Sequence, residues 1–369
     1  MRVPVMGVLP AQHPRSTIAV MLRADQPALI LAPMEGLTDA PMRAVQGEVG
    51  AFTYCVAEFL RISTSIPGKR AFQRHVPELL TGGLTCNGLP VQVQLLGGDA
   101  GRMAESAAVA CEAGANAIDI NFGCPAPTVN QNDGGATLLK HPLRIREIVS
   151  AVRKAVPAHI PVSAKLRLGW DSLDAIQENA DMAVEGGASW LTIHGRTRVQ
   201  GYSPPAHWEP IGAVRERVPI PVVANGDIWS LADFRRCRDV TGCSQFMLGR
   251  GALANPLLSH QIAHELGLIE KAPAGHMTPD FDWAPYLRLL VDYALSIHAF
   301  RGRAILCRLK QWLMMADRYG CYLGFDEVKR LKRTDELFAA LDASRREGAA
   351  IHHEVNCHCK AQCDSGFLV

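Results

Sequence analysis

The sequence predicts an α/β protein: a (β/α)₈ TIM barrel followed by an all-helical domain. Three observations point to this fold: eight short apolar runs, longer amphipathic stretches between them, and a length of 369 residues. A barrel of this kind takes about 250 residues, which leaves on the order of 100 for a second unit. A doubly wound open sheet is the alternative, but it rarely needs eight parallel strands, and no Gly-x-Gly-x-x-Gly follows the first run.

Eight runs are predicted strands because each is apolar, rich in β-branched residues and closed by Gly, Pro or Asn. They lie at 29–32, 52–56, 91–96, 117–120, 161–166, 190–194, 221–224 and 245–248. Apolar residues at helical spacing, each stretch ending at a Gly or Pro, predict helices between the strands. These helices lie at 102–113, 143–156, 175–185 and 231–240.

Composition divides the chain into five segments. Residues 1–26 contain several prolines and no apolar stretch of signal-peptide length, so we expect a disordered extension. The barrel then spans 27–266, a linker with Pro and Gly spans 267–282, and a helical domain spans 283–350. We expect 351–369 to be a disordered tail without a metal, because its His and Cys residues do not match a zinc-knuckle spacing.

The overall charge gives no sign of a polyanionic partner, since 38 Lys and Arg oppose 36 Asp and Glu. Any nucleic-acid surface must therefore be a local patch. Between 301 and 333, nine basic residues oppose three acidic ones. The basic residues are Arg301, Arg303, Arg308, Lys310, Arg318, Lys329, Arg330, Lys332 and Arg333. Alone, this run fits a solvated helix face about as well as a nucleic-acid patch.

The cysteines and the hydropathy pattern predict a cytoplasmic protein. Eleven cysteines without regular spacing, in a chain of this length, are typical of reduced thiols rather than of a disulfide framework. No apolar run reaches the roughly 18 residues that a membrane span needs. We therefore expect no membrane association, and nothing in the pattern indicates an obligate protein partner.

Polar residues follow the last two predicted strands, at the end of the barrel where functional groups gather. Asn225, Gly226 and Asp227 follow the seventh strand, and Gly249 and Arg250 follow the eighth. Gly-opened backbone amides and a helix N-terminus bind phosphate well, and an arginine can add a bidentate clamp. An ordinary tight turn could account for either loop alone, but it accounts less well for both together. We therefore expect a cofactor with a phosphate group.

Three further strand ends carry residues suited to flavin chemistry. Lys165 can stabilise negative charge on a bound ring, and Gln94 can both donate and accept hydrogen bonds at its edge. Cys124 lies in a Gly-Cys-Pro turn, and a thiol with a pKa of about 8.5 is protonated at neutral pH and can act as a general acid. The alternatives for Cys124 are a nucleophile or an inert buried thiol.

Eight motifs between residues 31 and about 316 resemble those of the bacterial tRNA-dihydrouridine synthases. They read LAPMEGLTDAPMR at 31–43, VQLLG at 93–97, DINFGCP at 119–125, GGATLLK at 134–140, AKLRLGW at 164–170, HGRTRVQGY at 194–202, PVVANGDI at 221–228 and LGRGAL at 248–253. EFLR at 58–61 and LKQWL at 309–313 are most similar to the synthase C subgroup, which is named for uridine 16 of the tRNA D-loop.

The resemblance implies an FMN enzyme that uses NADPH, rather than NADH, to reduce the uracil 5,6 double bond in tRNA. Hydride would pass from flavin N5 to C6, and Cys124 would protonate C5. FMN would contact Pro33, Met34, Glu35, Gln94, Lys165, His194, Asn225, Gly226, Asp227, Gly249 and Arg250. The tRNA, with its target base flipped out, would contact Arg61, Asn121, Tyr202, Arg308 and Lys310.

Two other functions stay open. A small-molecule FMN oxidoreductase of the dihydropyrimidine or dihydroorotate dehydrogenase type would share the barrel, the flavin and a pyrimidine substrate. It would not need a basic helical domain. A non-catalytic RNA-binding barrel that retains FMN only for its structure is the second alternative.

Overall fold

The computed structural model describes residues 21–24, 26–273, 275, 277, 278, 281–297 and 301–348. Nine strands form one parallel sheet. They are β1 (Ala28–Leu31), β2 (Tyr54–Val56), β3 (Leu60–Arg61), β4 (Val91–Leu96), β5 (Ile118–Asn121), β6 (Val162–Arg167), β7 (Leu191–His194), β8 (Val222–Asn225) and β9 (Gln245–Leu248). Because β1 pairs with β9 and β2 pairs with β4, eight of the strands close into a barrel.

The predicted TIM barrel is confirmed, and each predicted strand lies within two residues of an observed one. The strands are buried on both faces, as parallel strands covered by helices must be, which is why they read as apolar runs rather than alternating patterns. The ninth strand, β3, was not predicted. It contains only two residues, which pair with the end of β4, so it is too short to produce a periodic signal.

Helices alternate with the strands and then continue alone to the end of the described chain. They are α1 (Ala40–Val49), α2 (Lys69–His75), α3 (Ala100–Glu112), α4 (Pro127–Asn130), α5 (Pro142–Ala155), α6 (Ala175–Glu185), α7 (Glu209–Arg217), α8 (Leu231–Thr241), α9 (Arg250–Ala254), α10 (Leu258–Glu265), α11 (Ala284–Ser296), α12 (Arg303–Arg318), α13 (Phe325–Val328) and α14 (Thr334–Gly348). Local sequence sets several boundaries. Ser230 and Asp233 form a capping box at the start of α8, and Gly242 ends that helix with a φ of +61°.

The C-terminal helices have a hydrophobic cluster of their own that is continuous with one side of the barrel. Trp283, Leu287 and Trp312 pack there with Val45 of α1 and Leu253 of α9. The Trp312 Nε1 atom also donates a hydrogen bond to the Leu253 carbonyl at 2.8 Å. Helix α12 is therefore held against α9, the short helix that follows the last barrel strand.

The barrel begins earlier in the chain than the sequence predicts. Residues 1–20 lie outside the described residues, but Met21 and Leu22, which we assigned to a disordered extension, are buried. They belong to a cluster with Ala117 and Trp190, which directly precede β5 and β7. Two apolar side chains that pack at the barrel end make this segment part of the barrel, a contact that no local pattern reveals. The predicted tail, 351–369, lies outside the described residues.

Candidate active site

A chain of hydrogen bonds joins three buried polar side chains at β4 and β5. Gln94 Nε2 donates to Asp119 Oδ2 at 2.6 Å, and Asn121 Nδ2 donates to Gln94 Oε1 at 2.9 Å. Asp119 also accepts a hydrogen bond from the Ser163 hydroxyl. An ionised carboxylate can only accept, so Asp119 fixes which end of the Gln94 amide faces it. The orientation of Gln94 is therefore set by its neighbours.

Lys165 supplies the positive charge beside this chain. Its Nζ atom lies 3.3 Å from Asn225 Oδ1. Burial, with a smaller contribution from Arg167, lowers the pKa of Lys165 to about 8. Burial raises the pKa of Asp119, while hydrogen bonds from Ser163 and Gln94 oppose that rise. At neutral pH, a mostly protonated lysine and an ionised carboxylate thus coexist at the barrel mouth.

The turn that carries Cys124 is held by hydrogen bonds from two directions. Asn121 Oδ1 accepts from the backbone N–H groups of Gly123 and Cys124, both at 2.9 Å. Arg167 Nε donates to the Gly123 carbonyl at 2.8 Å. Cys124 is half-buried, and burial raises the pKa of its thiol. The thiol is therefore protonated at neutral pH, as a general acid requires.

No role for Arg167 is predicted from the sequence. It is buried, and its Nη1 atom donates to the carbonyls of Thr197 at 2.9 Å and Gly201 at 2.7 Å. With its bond to Gly123, it ties the Cys124 turn to the loop after β7. A charged residue at a strand end was the signal that could have drawn attention to it, but its partners are backbone atoms far away in sequence.

On the opposite side of the mouth, two buried polar atoms have no hydrogen-bond partner among the described residues. They are His194 Nδ1 and Arg196 Nη1. Burial, followed by the nearby positive charges of Arg167 and Lys165, lowers the pKa of His194 well below its usual value. The imidazole is therefore neutral at pH 7. Buried polar atoms normally find a partner, so this part of the mouth is suited to a ligand that supplies one.

The turn after β8 lies against these two residues. Gly226 has a φ of +117°, and a Cβ atom there would lie 3.2 Å from Ala206 Cβ and 3.3 Å from His194 Cδ2. The Asp227 carboxylate forms an ion pair with Arg196 and accepts from the Ala206 N–H at 2.9 Å. A carboxylate repels phosphate, so the Asp227 side chain holds the turn together and only its backbone can face a phosphate. Asn225 Nδ2 donates to the Met247 carbonyl at 2.9 Å.

Arg250 stands at the start of α9, between two aromatic rings. Its guanidinium carbon lies 5.0 Å from the centre of the Tyr202 ring and 4.9 Å from that of the Trp229 ring. Gly249, which precedes it, approaches the end of β1, where a Cβ atom on Gly249 would lie 3.4 Å from Met34 Sδ. The structure thus brings the predicted cofactor residues of β1, β8 and β9 to one rim.

The β1 end is itself stabilised by a threonine. Thr38 Oγ1 accepts from the Met34 N–H at 2.8 Å and contacts the Ala32 carbonyl at 3.3 Å. This arrangement fixes the Pro33 to Glu35 loop at the mouth, with Pro33 and Met34 half-buried and Glu35 exposed.

The dihydrouridine synthase (Dus) family model matches residues 30–281. The chain belongs to this family. It is 44% identical to a tRNA-dihydrouridine(16) synthase of Aquipseudomonas alcaligenes, over 84% of this chain and 98% of that protein. It is 46% identical to a protein of the same name from Pseudomonas putida, over 79% of this chain and 88% of that protein.

The resemblance inferred from the motifs is therefore confirmed, and this Dus protein is an enzyme. A solved structure of 2-naphthoyl-CoA reductase with 2-naphthoyl-CoA has a TM-score of 0.50 and 10% sequence identity, and it covers 64% of this chain and 50% of that one. At that identity, the likeness supports the fold alone.

Three of the predicted tRNA residues of this Dus protein contact other residues of the chain. Arg61 is exposed, and its Nη2 atom donates to the Thr128 carbonyl at 3.0 Å, near the Cys124 loop. Arg308 forms an ion pair with Asp39, the residue that caps α1. Lys310 Nζ donates to the carbonyls of Lys329, at 2.8 Å, and Leu331. Arg308 and Lys310 thus have structural partners, one at the domain contact and one inside the helical domain.

Other basic residues of the helical domain face solvent. Within 301–333, the exposed ones are Arg301, Arg303, Arg318, Lys329, Arg330, Lys332 and Arg333. Two of them have acidic neighbours, since Lys329 pairs with Asp326 and Arg333 with Asp335. Across the part of the chain that the structure describes, no cluster of His, Cys, Asp or Glu could hold a metal, and no helix is long and apolar enough to cross a membrane.

Proposed function

We propose that this enzyme reduces the 5,6 double bond of uridine 16 in the tRNA D-loop to dihydrouridine, with FMN as cofactor and NADPH as electron donor. One observation carries the proposal: the protonated thiol of Cys124, on a fixed turn, lies at the same barrel mouth as Lys165 and Gln94. The mouth also contains a donor-rich rim, formed by His194, Arg196, Gly226 and Arg250. The names of relatives at 44% and 46% identity support the tRNA substrate and the position of the uridine.

The donor-rich rim fits a phosphorylated flavin. Arg196 Nη1 and His194 Nδ1 are buried without partners among the described residues, and Arg250 is held between two rings. Gly226 leaves the backbone open where a side chain would collide with its neighbours. In this proposal the rim holds the phosphate side of FMN, and Gln94 and Lys165 hold its ring. When bound and reduced, FMN supplies the hydride that reaches C6 of the uracil.

Cys124 completes the reduction with a proton. Its Sγ atom gives its proton to C5 of the uracil, and the resulting thiolate recovers a proton from solvent. The burial that raises the pKa of the thiol keeps it protonated for the next turnover. Asn121 holds this turn through Oδ1 and contacts Gln94 through Nδ2, so its second Nδ2 hydrogen is the one that we assign to the uridine.

The tRNA would be held by the exposed basic residues of the helical domain and by Arg61 and Tyr202 at the rim of the mouth. Phosphate contacts of this kind position an RNA without reading its sequence, which suits an enzyme whose target base must leave the folded loop. Arg308 and Lys310, which the resemblance assigns to the tRNA, are half-buried and would contact it while keeping their partners in the protein. A tRNA substrate and free thiols fit a cytoplasmic location.

Mapping dihydrouridine in tRNA from a strain that lacks this protein tests the proposal. We expect the modification to disappear at position 16 alone and to return when the full chain is expressed. Unchanged dihydrouridine at position 16 would contradict the proposal. Turnover of free uracil or dihydroorotate by the purified enzyme, without activity on tRNA, would favour the small-molecule alternative.

A further inference from the structure

An aromatic stack connects the helical domain to the rim of the barrel mouth. Tyr319, the residue after α12, stacks on Trp229 with ring centres 3.7 Å apart and an angle of 23° between the ring planes. Trp229 lies in the loop after β8, and the guanidinium of Arg250 covers it at 4.9 Å. Tyr202 lies 5.0 Å from the same guanidinium. Tyr319 is therefore connected to Arg250 through two contacts, one between Tyr319 and Trp229 and one between Trp229 and Arg250.

The same helix holds the rim at a second point. Trp312 of α12 donates to the carbonyl of Leu253 in α9, the helix that Arg250 begins. Trp229 also contacts the Asp227 carboxylate through Nε1, at 3.3 Å. Helix α12 and the residue after it thus contact both loops of the rim, the one after β8 and the one after β9.

Arg250 carries a charge that its protein neighbours do not neutralise. Within the residues that the structure describes, its guanidinium forms no ion pair, and the groups against it are two half-buried or exposed rings. Ring faces hold a cation in place but leave its hydrogen-bond donors available. An arginine held in this way is prepared to bind an anion, because the entropy of its flexible side chain is already reduced.

We propose that Tyr319 is a positioning residue for the cofactor: it holds Trp229 in place, and Trp229 holds Arg250 for the phosphate of FMN. This inference rests on the proposed function, because it assigns FMN to the rim. It makes a residue of the helical domain part of the cofactor site. By thermodynamic reciprocity, FMN binding then stabilises the docking of the helical domain on the barrel.

Flavin binding to the full-length, flavin-free enzyme tests this proposal, because riboflavin lacks the phosphate that FMN carries. Dissociation constants are measured by quenching of flavin fluorescence. We expect Tyr319→Ala to weaken FMN binding by about 5- to 10-fold, the scale of one partly desolvated cation–π contact, and to change riboflavin binding by less than about twofold. Tyr319→Phe keeps the ring and should keep the FMN affinity within about twofold of wild type.

A double-mutant cycle identifies Arg250 as the link. In an Arg250→Ala background, Tyr319→Ala should cause no further loss of FMN affinity. Phe338→Ala is the matched control, since Phe338 contacts Arg288 at 4.4 Å elsewhere in the helical domain. It should leave FMN affinity unchanged. If Tyr319→Ala lowers the melting temperature, Tyr319→Leu retains apolar volume without a ring and should reproduce the loss of FMN affinity.

Equal losses for FMN and riboflavin, or additive effects in the cycle, would overturn the role of Tyr319. Failure of the FMN assignment, the part of the proposed function on which this inference rests, gives a different result. In that case the wild-type enzyme binds neither flavin, or binds FMN no better than riboflavin, before any substitution is made.

Discussion

The polar side chains in the two halves of the barrel mouth differ in their hydrogen bonding. At β4 and β5, the side chains of Gln94, Asp119 and Asn121 are bonded to one another in a continuous chain. At β7 and beyond, His194 Nδ1 and Arg196 Nη1 are buried, and neither has a hydrogen-bond partner among the described residues. Both halves are equally buried, so the difference lies in what completes their hydrogen bonds.

The bonded half is therefore suited to catalysis, and the other half is suited to binding a ligand that completes its hydrogen bonds. A buried polar atom without a partner costs roughly 1–3 kcal/mol, which an anionic ligand can recover on binding. A network in which each polar atom has a partner has no such deficit, and its fixed dipoles need not reorganise during the reaction. Substitutions at β4 to β6 should therefore lower turnover more than cofactor affinity, and substitutions at the opposite rim should do the reverse.

The largest effect is expected at Cys124, in the half assigned to chemistry. Cys124→Ala removes the proton donor and should lower dihydrouridine formation by about 10²- to 10⁴-fold, while FMN and tRNA affinities stay within about twofold. Mass spectrometry of the tRNA product measures the loss. Cys86→Ala, at an exposed cysteine, is the control and should retain full turnover. An active Cys124→Ala enzyme would exclude the general-acid role.

A smaller loss is expected at Asp119, which touches the reacting groups only through Gln94. Asp119→Asn replaces the charged acceptor that orients the Gln94 amide with a neutral amide, which can present either its oxygen or its N–H, so turnover should fall by about 10- to 100-fold, the value of a charged hydrogen bond. Ser163→Ala removes the other partner of Asp119 but leaves Gln94 bonded, so it should cost less. If both variants lost turnover equally, orientation of Gln94 could not be the reason.

At the opposite rim, we expect a substitution to lower the affinity for FMN instead. A Cβ atom on Gly226 would lie within 3.4 Å of three neighbouring atoms, so Gly226→Ala should displace the turn and weaken FMN binding about tenfold, or ~1.4 kcal/mol. Gly82→Ala is the control: its φ of +77° brings the same backbone strain, but nothing lies within 4 Å. It should lower the melting temperature and leave FMN affinity intact. Loss of turnover at saturating FMN would contradict the division of the mouth.

Sequence patterns could predict the barrel and most residues of the mouth, because strand ends are local features. The two turns that we propose for the phosphate were recognisable from Gly226 and Gly249 alone. The roles of Arg167 and Asp227 were not, since their partners are backbone and side-chain atoms distant in sequence. For the same reason, sequence patterns do not reveal that Arg308 pairs with Asp39 or that Lys310 binds the backbone carbonyls of Lys329 and Leu331.

The pH dependence of turnover gives the smallest expected effect and tests which group of the bonded half titrates first. The pKa of Lys165 is lowered to about 8, so the lysine is protonated below that pH and neutral above it. The pKa of Cys124 is raised, so its thiol keeps its proton across the same range. Turnover should therefore halve near pH 8 and continue to fall as the pH rises.

The lysine can be separated from the thiol by a variant that keeps its charge. An arginine does not lose its proton in this range, so Lys165→Arg should lower turnover overall but remove the fall near pH 8. Mass spectrometry of the tRNA product from pH 6 to about 10 measures both profiles at saturating tRNA. A profile of Lys165→Arg that still bends near pH 8 would assign the titration to another group, and the positive charge at the ring would then not be the element that limits turnover.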